Sequence, residues 1–527
     1  MRIHNLLTIR SKQTTRDKHI TIWRYILDVE DTFGTTFMSS VDGNLYGYFG
    51  MLNEILLLPT THKGGDRITS YLHQVYGLIQ TEPSGKFIYA ALRNHAISHA
   101  AKAELRRFAV YDTAANTAYL SNYKGQMWKL DGSEAPELVN NGTDDVYFID
   151  DDGGVTVDPE FGPNGLLLDK LTDLNFTPGL GGITPEQQRM ALTIWIFMLA
   201  FPDLMPTKPI LIVEGTPGAG KSAGTQLLQL ALLGVSKPMI LSKNKEDDFG
   251  VLLLRSPIAI FDNTDSYIEW VPDAICAYAT LGYWVKRKLY SDASEVQIRP
   301  HAFIAIASKN PASFRREDVA DRCVILRLER REKFVKFQQL QREISELRPK
   351  LLGEYMWYVN EIIKRLRANY TAEAAEETTR MADFASFART VGDVMGWDPE
   401  AVAALMDGLA SERDAFVNEE DSLVELLHKW IVYRPQGFSN IGRERSLFEL
   451  HAELESMAQA NTLPYYKSAR TLAQKIRSPH VARDFDVQFD VSGGKKTYKI
   501  WRKNDPKLGS VPAVFAEEDE DEGIQFL

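Results

Sequence analysis

Apolar runs recur at 210–214, 258–262 and 302–307, each bounded by turn residues and separated by stretches with helical spacing. From about 209 to 332 this alternation predicts an α/β core. Upstream, the first ~180 residues alternate short β-like runs with turn signals. There, 106–122 and 144–158 read as hairpins, and one helical stretch falls near 86–105. A Gly- and Pro-rich segment around 174–184 reads as a linker. It ends in Thr184-Pro185-Glu186-Gln187, a capping-box helix start that predicts a helix to about 201. Downstream, 333–370 predicts one long helix bent at Pro349, with further helical material to about 415. Helices near 420–431, 446–460 and 467–477 then precede strands at 485–491 and 496–502, joined by Ser492-Gly493-Gly494. Three helices ending in a hairpin is the winged-helix order.

The expected fold class is therefore multidomain α/β. It has a β-rich N-terminal domain (1–180), an α/β core (185–335), a helical region (336–415), a winged-helix-like domain (416–505) and an acidic tail (506–527). A length of 527 residues agrees, being too long for a single core. Hydrophobic residues at 44% and charged residues at 25% exclude a disordered or fibrous chain. Two cysteines, Cys276 and Cys323, are too few for a zinc knuckle, an iron–sulfur site or a disulfide framework, and they fit a reducing compartment. The longest apolar run, 191–201, is shorter than the ~20 residues a membrane helix needs. The N-terminus lacks the apolar segment of a signal peptide, so the expected location is the cytoplasm. The net charge of −11 does not oppose a nucleic-acid partner, because Glu517–Glu522 supply six of those charges and a binding patch is local.

The sharpest chemical signal is Gly215-Thr216-Pro217-Gly218-Ala219-Gly220-Lys221-Ser222, which matches G-x-x-x-x-G-K-[ST] between an apolar strand and a helix. Glycines let backbone N–H groups turn toward phosphate, and the helix N-terminus adds positive potential. Lys221 is expected on the β- and γ-phosphates, Ser222 on Mg²⁺, and Ala223 in the first turn beside them. Asp262, 41 residues after Lys221, ends the next apolar strand, where a carboxylate binds Mg²⁺ or its waters. Asn263 follows it and cannot act as a base. Either hydrolysis is slow, or Asp262, Asp265 or another acid activates water. Asn310 ends a further apolar strand, placed to sense a γ-phosphate. Arg322 has two readings: a cation acting on a neighbouring subunit's nucleotide, or an ordinary ion pair with Asp318 or Asp321.

These elements, in this compact order, resemble the superfamily 3 helicases of the AAA+ class. A closer likeness is to ATP-binding proteins of phages and integrated elements. It is carried by FDN (261–263), KRKLYSDASEV (286–296), DVADRCVILRL (318–328), RMADFASFA (380–388) and RRFAVYDTAANTAYLSN (106–122). The resemblance implies a P-loop AAA+ core in a ring, usually a hexamer, with ATP and Mg²⁺ between subunits. It makes Lys221, Asp262, Asn263, Asn310 and Arg322 the catalytic set. It also implies a pre-sensor hairpin facing the channel, here 284–290 paired with 295–299, with Lys286, Arg287 and Lys288 as candidate DNA contacts. The hairpin tip carries Asp292 where the viral helicases have a basic pair, which moves the expected contact to the hairpin base.

Further candidate DNA contacts are Arg470 and Lys475 on the last helix of the C-terminal region and Lys495 and Lys496 at its wing. Asp144, Asp145, Asp150, Asp151 and Asp152 read as hairpin-turn residues rather than a polymerase centre, and His95 and His99 as surface histidines. The tail ends in Ile524, Phe526 and Leu527, a pattern suited to docking a replisome protein. The main expectation is an ATP-hydrolysing, ring-forming DNA helicase or translocase for replication of a phage or mobile element, acting on single-stranded or forked DNA with no membrane partner. A second reading keeps the ATPase without processive unwinding, as a DNA-loading, initiator or antiviral defence ATPase. A third is an NTP-switched scaffold.

Overall fold

The computed structural model describes residues 14–40, 43–59, 66–149, 154–242, 246–281, 284–287, 295–298, 301–332, 334–368, 381–419, 423–432, 443–461, 468–477, 479–492 and 495–503. The chain divides into two compact units, Met1–Arg413 and Asp414–Leu527. The expected boundaries near 180 and 335 therefore fall inside the first unit.

The chain enters the described region through helix α1 (Thr15–Thr32). Thr14 caps it: its hydroxyl accepts from the Asp17 N–H at 3.2 Å, while the Asp17 carboxylate accepts from the Thr14 N–H at 3.3 Å. Strands β1 (Thr36–Ser40), β2 (Leu45–Phe49) and β3 (Glu54–Leu57), helices α2 (Arg67–Tyr76) and α3 (Pro83–His99), and strand β4 (Ala101–Ala103) follow. They form a sheet in the order β3-β2-β1-β4, in which only the β1–β4 pairing is parallel. The expectation of a β-rich N-terminal domain is corrected here, because helices carry more of the segment than strands do. The fully buried residues of α1 are Ile22, Ile26 and Glu30, and Trp23, Tyr25 and Val29 pack partly buried on the same core, an apolar stripe at helical spacing. Glu30 is 2% exposed and accepts hydrogen bonds from the hydroxyls of Tyr71 and Tyr76, each at 2.6 Å.

Strands β5 (Ala109–Asp112), β6 (Thr117–Tyr123), β7 (Gln126–Leu130) and β8 (Glu137–Asn140) make an antiparallel meander, so the 106–122 hairpin is present. Of the hairpin expected at 144–158, residues 150–153 with Asp150, Asp151 and Asp152 lie outside the described residues, and the described residues on either side form no strand pair. The Asn141 side chain takes both the Phe148 N–H and the Phe148 carbonyl at 2.8 Å, closing a loop where a strand pair was expected. Asp144, at its turn, is held by Tyr119 and Lys129 at 2.7 Å each.

After α4 (Leu166–Thr172), α5 (Pro185–Met198) starts at the expected capping box, with Thr184 and Gln187 exchanging hydrogen bonds at 2.9 and 3.2 Å. Its residues from Met190 to Met198 are all buried, the pattern of a helix surrounded by core. The core proper comprises β9 (Ile210–Gly215), α6 (Lys221–Leu233), α7 (Glu246–Arg255), β10 (Ile258–Asp262), α8 (Val271–Leu281), the paired β11 (Trp284–Arg287) and β12 (Glu295–Ile298), β13 (Phe303–Ser308), α9 (Glu317–Ala320) and β14 (Cys323–Leu328). Its sheet runs β10-β13-β9-β14 and every pairing is parallel. Burial on both faces explains why these strands read as unbroken apolar runs.

Helices α10 (Phe337–Ala368), α11 (Ala382–Met395) and α12 (Pro399–Asn418) complete the helical region. Pro349 lies inside α10, where it removes the hydrogen bond that the Ser345 carbonyl would otherwise accept. Two buried charges on α10 tie ends of other helices. Arg348 donates to the carbonyls of Ala231 and Leu232 in the last turn of α6 and to that of Val155. Glu354 accepts from the Gly165 and Leu167 N–H groups at the start of α4, at 2.7 and 2.8 Å.

The second unit contains α13 (Leu423–Val432), β15 (Arg443–Ser446), α14 (Leu447–Ala460), α15 (Ala469–Lys475), α16 (Pro479–Asp484), β16 (Phe485–Ser492) and β17 (Lys495–Arg502), with a sheet in the order β15-β17-β16. Its core gathers Leu426, Leu427, Trp430, Leu450, Leu454, Leu472, Tyr498 and Ile500. The short strand β15 and helix α16 add to the expected elements. Among the described residues no helix is long and apolar enough to cross a membrane. The acidic tail lies outside the described residues.

Candidate functional site

Gly215, Asp262 and Ser308 end neighbouring strands of the parallel sheet at its C-terminal edge, where the loops that follow converge. The loop after β9 is tightly specified. A Cβ on Gly215 would lie 2.1 Å from the Leu328 carbonyl oxygen, so only glycine lets β9 and β14 pair here. Gly218 and Gly220 have φ of +85° and +87°, left-handed values that side chains disfavour. Thr216, Pro217 and Gly218 are exposed, Ala219 is buried, and α6 begins at Lys221 with Ser222 and Ala223 in its first turn. The positive end of the α6 dipole thus faces the loop.

Lys221 bends back over this loop. Its ammonium donates to the Gly215 carbonyl at 2.7 Å and the Thr216 carbonyl at 3.0 Å. Burial lowers its pKa from the usual lysine value, and the charges of Asp265, Asp262 and Glu214 work against that shift. Ser222 donates its hydroxyl to Asp262 Oδ1 at 2.8 Å, so the two side chains expected to share a metal are in contact. The same Asp262 oxygen accepts the Asn263 N–H at 3.0 Å. Asn263 sits at φ +56°, its N–H also directed at the Ala307 carbonyl at 3.0 Å. Among the described residues, no cluster of three His, Cys, Asp or Glu side chains offers a metal site.

Asp265, in the loop after β10, reaches across to the end of the neighbouring strand β13. Its Oδ1 accepts from the Ser308 hydroxyl at 2.6 Å, the Lys309 N–H at 2.8 Å and the Asn310 N–H at 3.3 Å. Burial alone raises its pKa, but these hydrogen bonds and Lys221 outweigh it and hold the carboxyl below the usual range. Asn310 is therefore anchored through its backbone at the end of β13. Its side-chain Oδ1 accepts from Arg315 Nε at 3.2 Å.

Arg322 lies elsewhere. Its carbonyl accepts the Ile210 N–H at the start of β9, so it stands at the opposite edge of the sheet from the loop. Its guanidinium donates to the Asp318 backbone carbonyl and approaches the Cys276 sulfur at 3.8 Å. The carboxylate of Asp318 is engaged by Arg316, at 2.6 and 2.9 Å. Lys286 and Arg287 fall in β11, registered with Val296 and Glu295, while Lys288 and the hairpin tip lie outside the described residues. In the second unit Arg470 is exposed on α15, and Lys475 reaches Asn418 at 3.5 Å. Lys495 and Lys496 open β17, in register with Ser492 and Val491.

Sequence reasoning missed four charged residues that meet beneath the loop: Glu214, Arg315, Arg327 and Glu412. Glu214 Oε1 is 3.1 Å from Arg315 and its Oε2 3.2 Å from Arg327, which in turn contacts Glu412. A signal was present, because Glu214 and Arg327 are charges inside otherwise apolar strands and must be paired if those strands are buried.

Residues 183–411 match the family model described as the actinomycete integrative conjugative element replication protein, which spans the core and most of the helical region. By that match the core is similar to replication proteins of mobile elements. No curated protein matches the sequence. Among solved structures, the A form apo structure of the NrS-1 C terminal region is 11% identical with a TM-score of 0.41, covering 91% of this chain and 99% of that chain. A second A form structure, of residues 305–718 of that region, is 10% identical with a TM-score of 0.43, over 91% and 98%.

Proposed function

We propose that this chain is an ATP-hydrolysing, ring-forming DNA helicase or translocase that serves replication of a mobile element. The observation that carries the reading is the meeting of Lys221, Ser222 and Asp262 behind a glycine loop at the C-terminal edge of a parallel sheet. Open parallel sheets bind ligands at that edge. The residues present suit a nucleoside triphosphate with Mg²⁺: loop N–H groups and Lys221 for the phosphates, Ser222 and Asp262 for the metal or its waters. A bound Mg²⁺ would neutralise charge on the phosphates. The match to a replication protein model over 183–411 supports DNA as the track. The β11–β12 hairpin and the cationic positions of the second unit are the proposed contacts.

The test is twofold. Calorimetric titration of ATP with Mg²⁺ is expected to give saturable binding that Lys221→Ala abolishes, and a forked duplex is expected to be unwound only when ATP is supplied. Binding that survives Lys221→Ala would refute the phosphate site. Asn263 favours a second reading, in which the ATPase loads or remodels DNA without processive unwinding. Turnover stimulated by single strands, without strand displacement on the fork, would select it.

A further inference from the structure

Resting on the nucleotide site just proposed, the geometry points to Arg315 as the residue that orients Asn310 toward a terminal phosphate. A primary amide carries its acceptor oxygen and its NH₂ donors on opposite sides. Arginine only donates, so the 3.2 Å contact from Arg315 Nε fixes which side of the Asn310 amide is oxygen. The donor edge, the one able to bind a phosphate oxygen, is thereby turned away from Arg315. The backbone of Asn310 is already held by Asp265 and Ser308, at 3.3 and 3.1 Å, leaving the side-chain torsion as the freedom that Arg315 removes.

Arg315 is itself fixed. Its Nη2 donates to Glu214 Oε1 at 3.1 Å, and Glu214 is the residue before Gly215, where the phosphate loop begins. Glu214 Oε2 lies 3.2 Å from Arg327 Nη1; Arg327 contacts Glu412, and Glu412 accepts the Gly181 N–H at 2.7 Å. The four side chains are 10%, 8%, 9% and 0% exposed, in the charge order plus, minus, plus, minus. A buried charge cannot easily abandon its partner, so the row pins the guanidinium plane against both Asn310 and the start of the loop. One fork-shaped side chain thus spans the β13 end and the β9 end, a geometry that lysine, with its single ammonium, cannot reproduce.

The test separates triphosphate from diphosphate. Dissociation constants for a non-hydrolysable ATP analogue and for ADP, both with Mg²⁺, are measured on the full chain by fluorescence titration. Arg315→Met is expected to weaken the ATP analogue about tenfold, the loss of one oriented hydrogen bond to a charged group, and to leave ADP within about twofold. Asn310→Ala is expected to do the same, and the double variant to bind no more weakly than either single one, because Arg315 acts through Asn310. Equal losses for ATP analogue and ADP, or additive losses in the double variant, would overturn the assignment. If Arg315→Met fails to fold, Arg315→Lys and Glu214→Gln take its place. Each is expected to show a smaller loss confined to the triphosphate, and no selective loss in either overturns it. Wild-type protein that binds neither nucleotide overturns the nucleotide site itself and this inference with it.

Discussion

Gly215 and Gly220 lie five residues apart in one motif, yet the structure requires glycine at each for a different reason. At Gly220 a side chain meets nothing within 4 Å, and only the left-handed φ opposes it. At Gly215 a Cβ collides with the backbone of β14. Gly220→Ala should therefore cost about 1–2 kcal/mol of stability, and Gly215→Ala about 3 kcal/mol because the strands must separate. Denaturant unfolding of both variants checks the order. A second residue-scale prediction concerns His301, whose Nε2 lies 2.5 Å from Glu104 Oε1. Burial pushes its pKa down to about 4, with Arg106 and Lys208 acting the same way and Glu104 opposing them. The unfolded chain takes up that proton near pH 6.5. Stability from this residue is thus complete above about 6.5 and is lost as pH falls toward 4, at up to ~1.4 kcal/mol per unit. His301→Gln, measured by denaturant midpoints across that range, should flatten this part of the acid dependence. Lys221, Ser222 and Asp262 were legible in the sequence because a contiguous motif and a strand end announce them. Arg315, Glu214, Arg327 and Glu412 were not, since their meeting depends on strand order and on a helix some two hundred residues beyond Glu214.

Among the elements, α10 does more than cover the core. Arg348 brings a guanidinium to the C-terminal turn of α6, where the helix dipole and unsatisfied carbonyls favour a cation. Burial lowers its pKa, opposed by Tyr123, yet arginine stays charged there. Arg348→Met should destabilise the chain by about 2–4 kcal/mol, because buried carbonyls lose charged donors; thermal unfolding measures it. The β11–β12 hairpin carries a different prediction. Replacing Lys286, Arg287 and Lys288 by alanine should weaken single-strand binding and reduce the slope of log affinity against log salt by ~0.7 for each phosphate no longer neutralised. An unchanged slope would move the DNA interface to the second unit. Helix α5 was readable to its cap because the capping box is local chemistry. Helix α1 was missed although Ile22, Trp23, Tyr25, Ile26 and Val29 fall at helical spacing against one core, whereas the segment 141–148 was misread because the Asn141 side chain, not a strand partner, satisfies the Phe148 backbone.

At the scale of the whole molecule, Arg322 and the phosphate loop occupy opposite edges of one sheet. The six residues of β9 separate them by roughly 17 Å at ~3.3 Å per residue. Arg322 therefore cannot serve the loop of its own chain, and any role on nucleotide requires a second copy. Lys221→Ala and Arg322→Ala proteins, each inactive alone, should regain part of their ATP turnover on mixing, since a mixed interface pairs an intact loop with an intact arginine. Mixtures as inactive as their parents would leave Arg322 a structural tie between α9 and β14. The sequence, which places Arg322 only twelve residues from Asn310, leaves a role on a neighbour's nucleotide and a local ion pair both open; the strand order removes only a role on the chain's own loop. The strand order has a consequence in time as well. Among the described residues β9 pairs with β13 and β14 and with no strand nearer in sequence. Its first partner therefore leaves the ribosome about ninety residues after it, roughly 5–20 seconds of bacterial synthesis. Throughout that interval an apolar strand with two unsatisfied edges waits in the nascent chain, which leaves the stretch from 210 to 303 in need of chaperone cover and vulnerable to ribosome stalling.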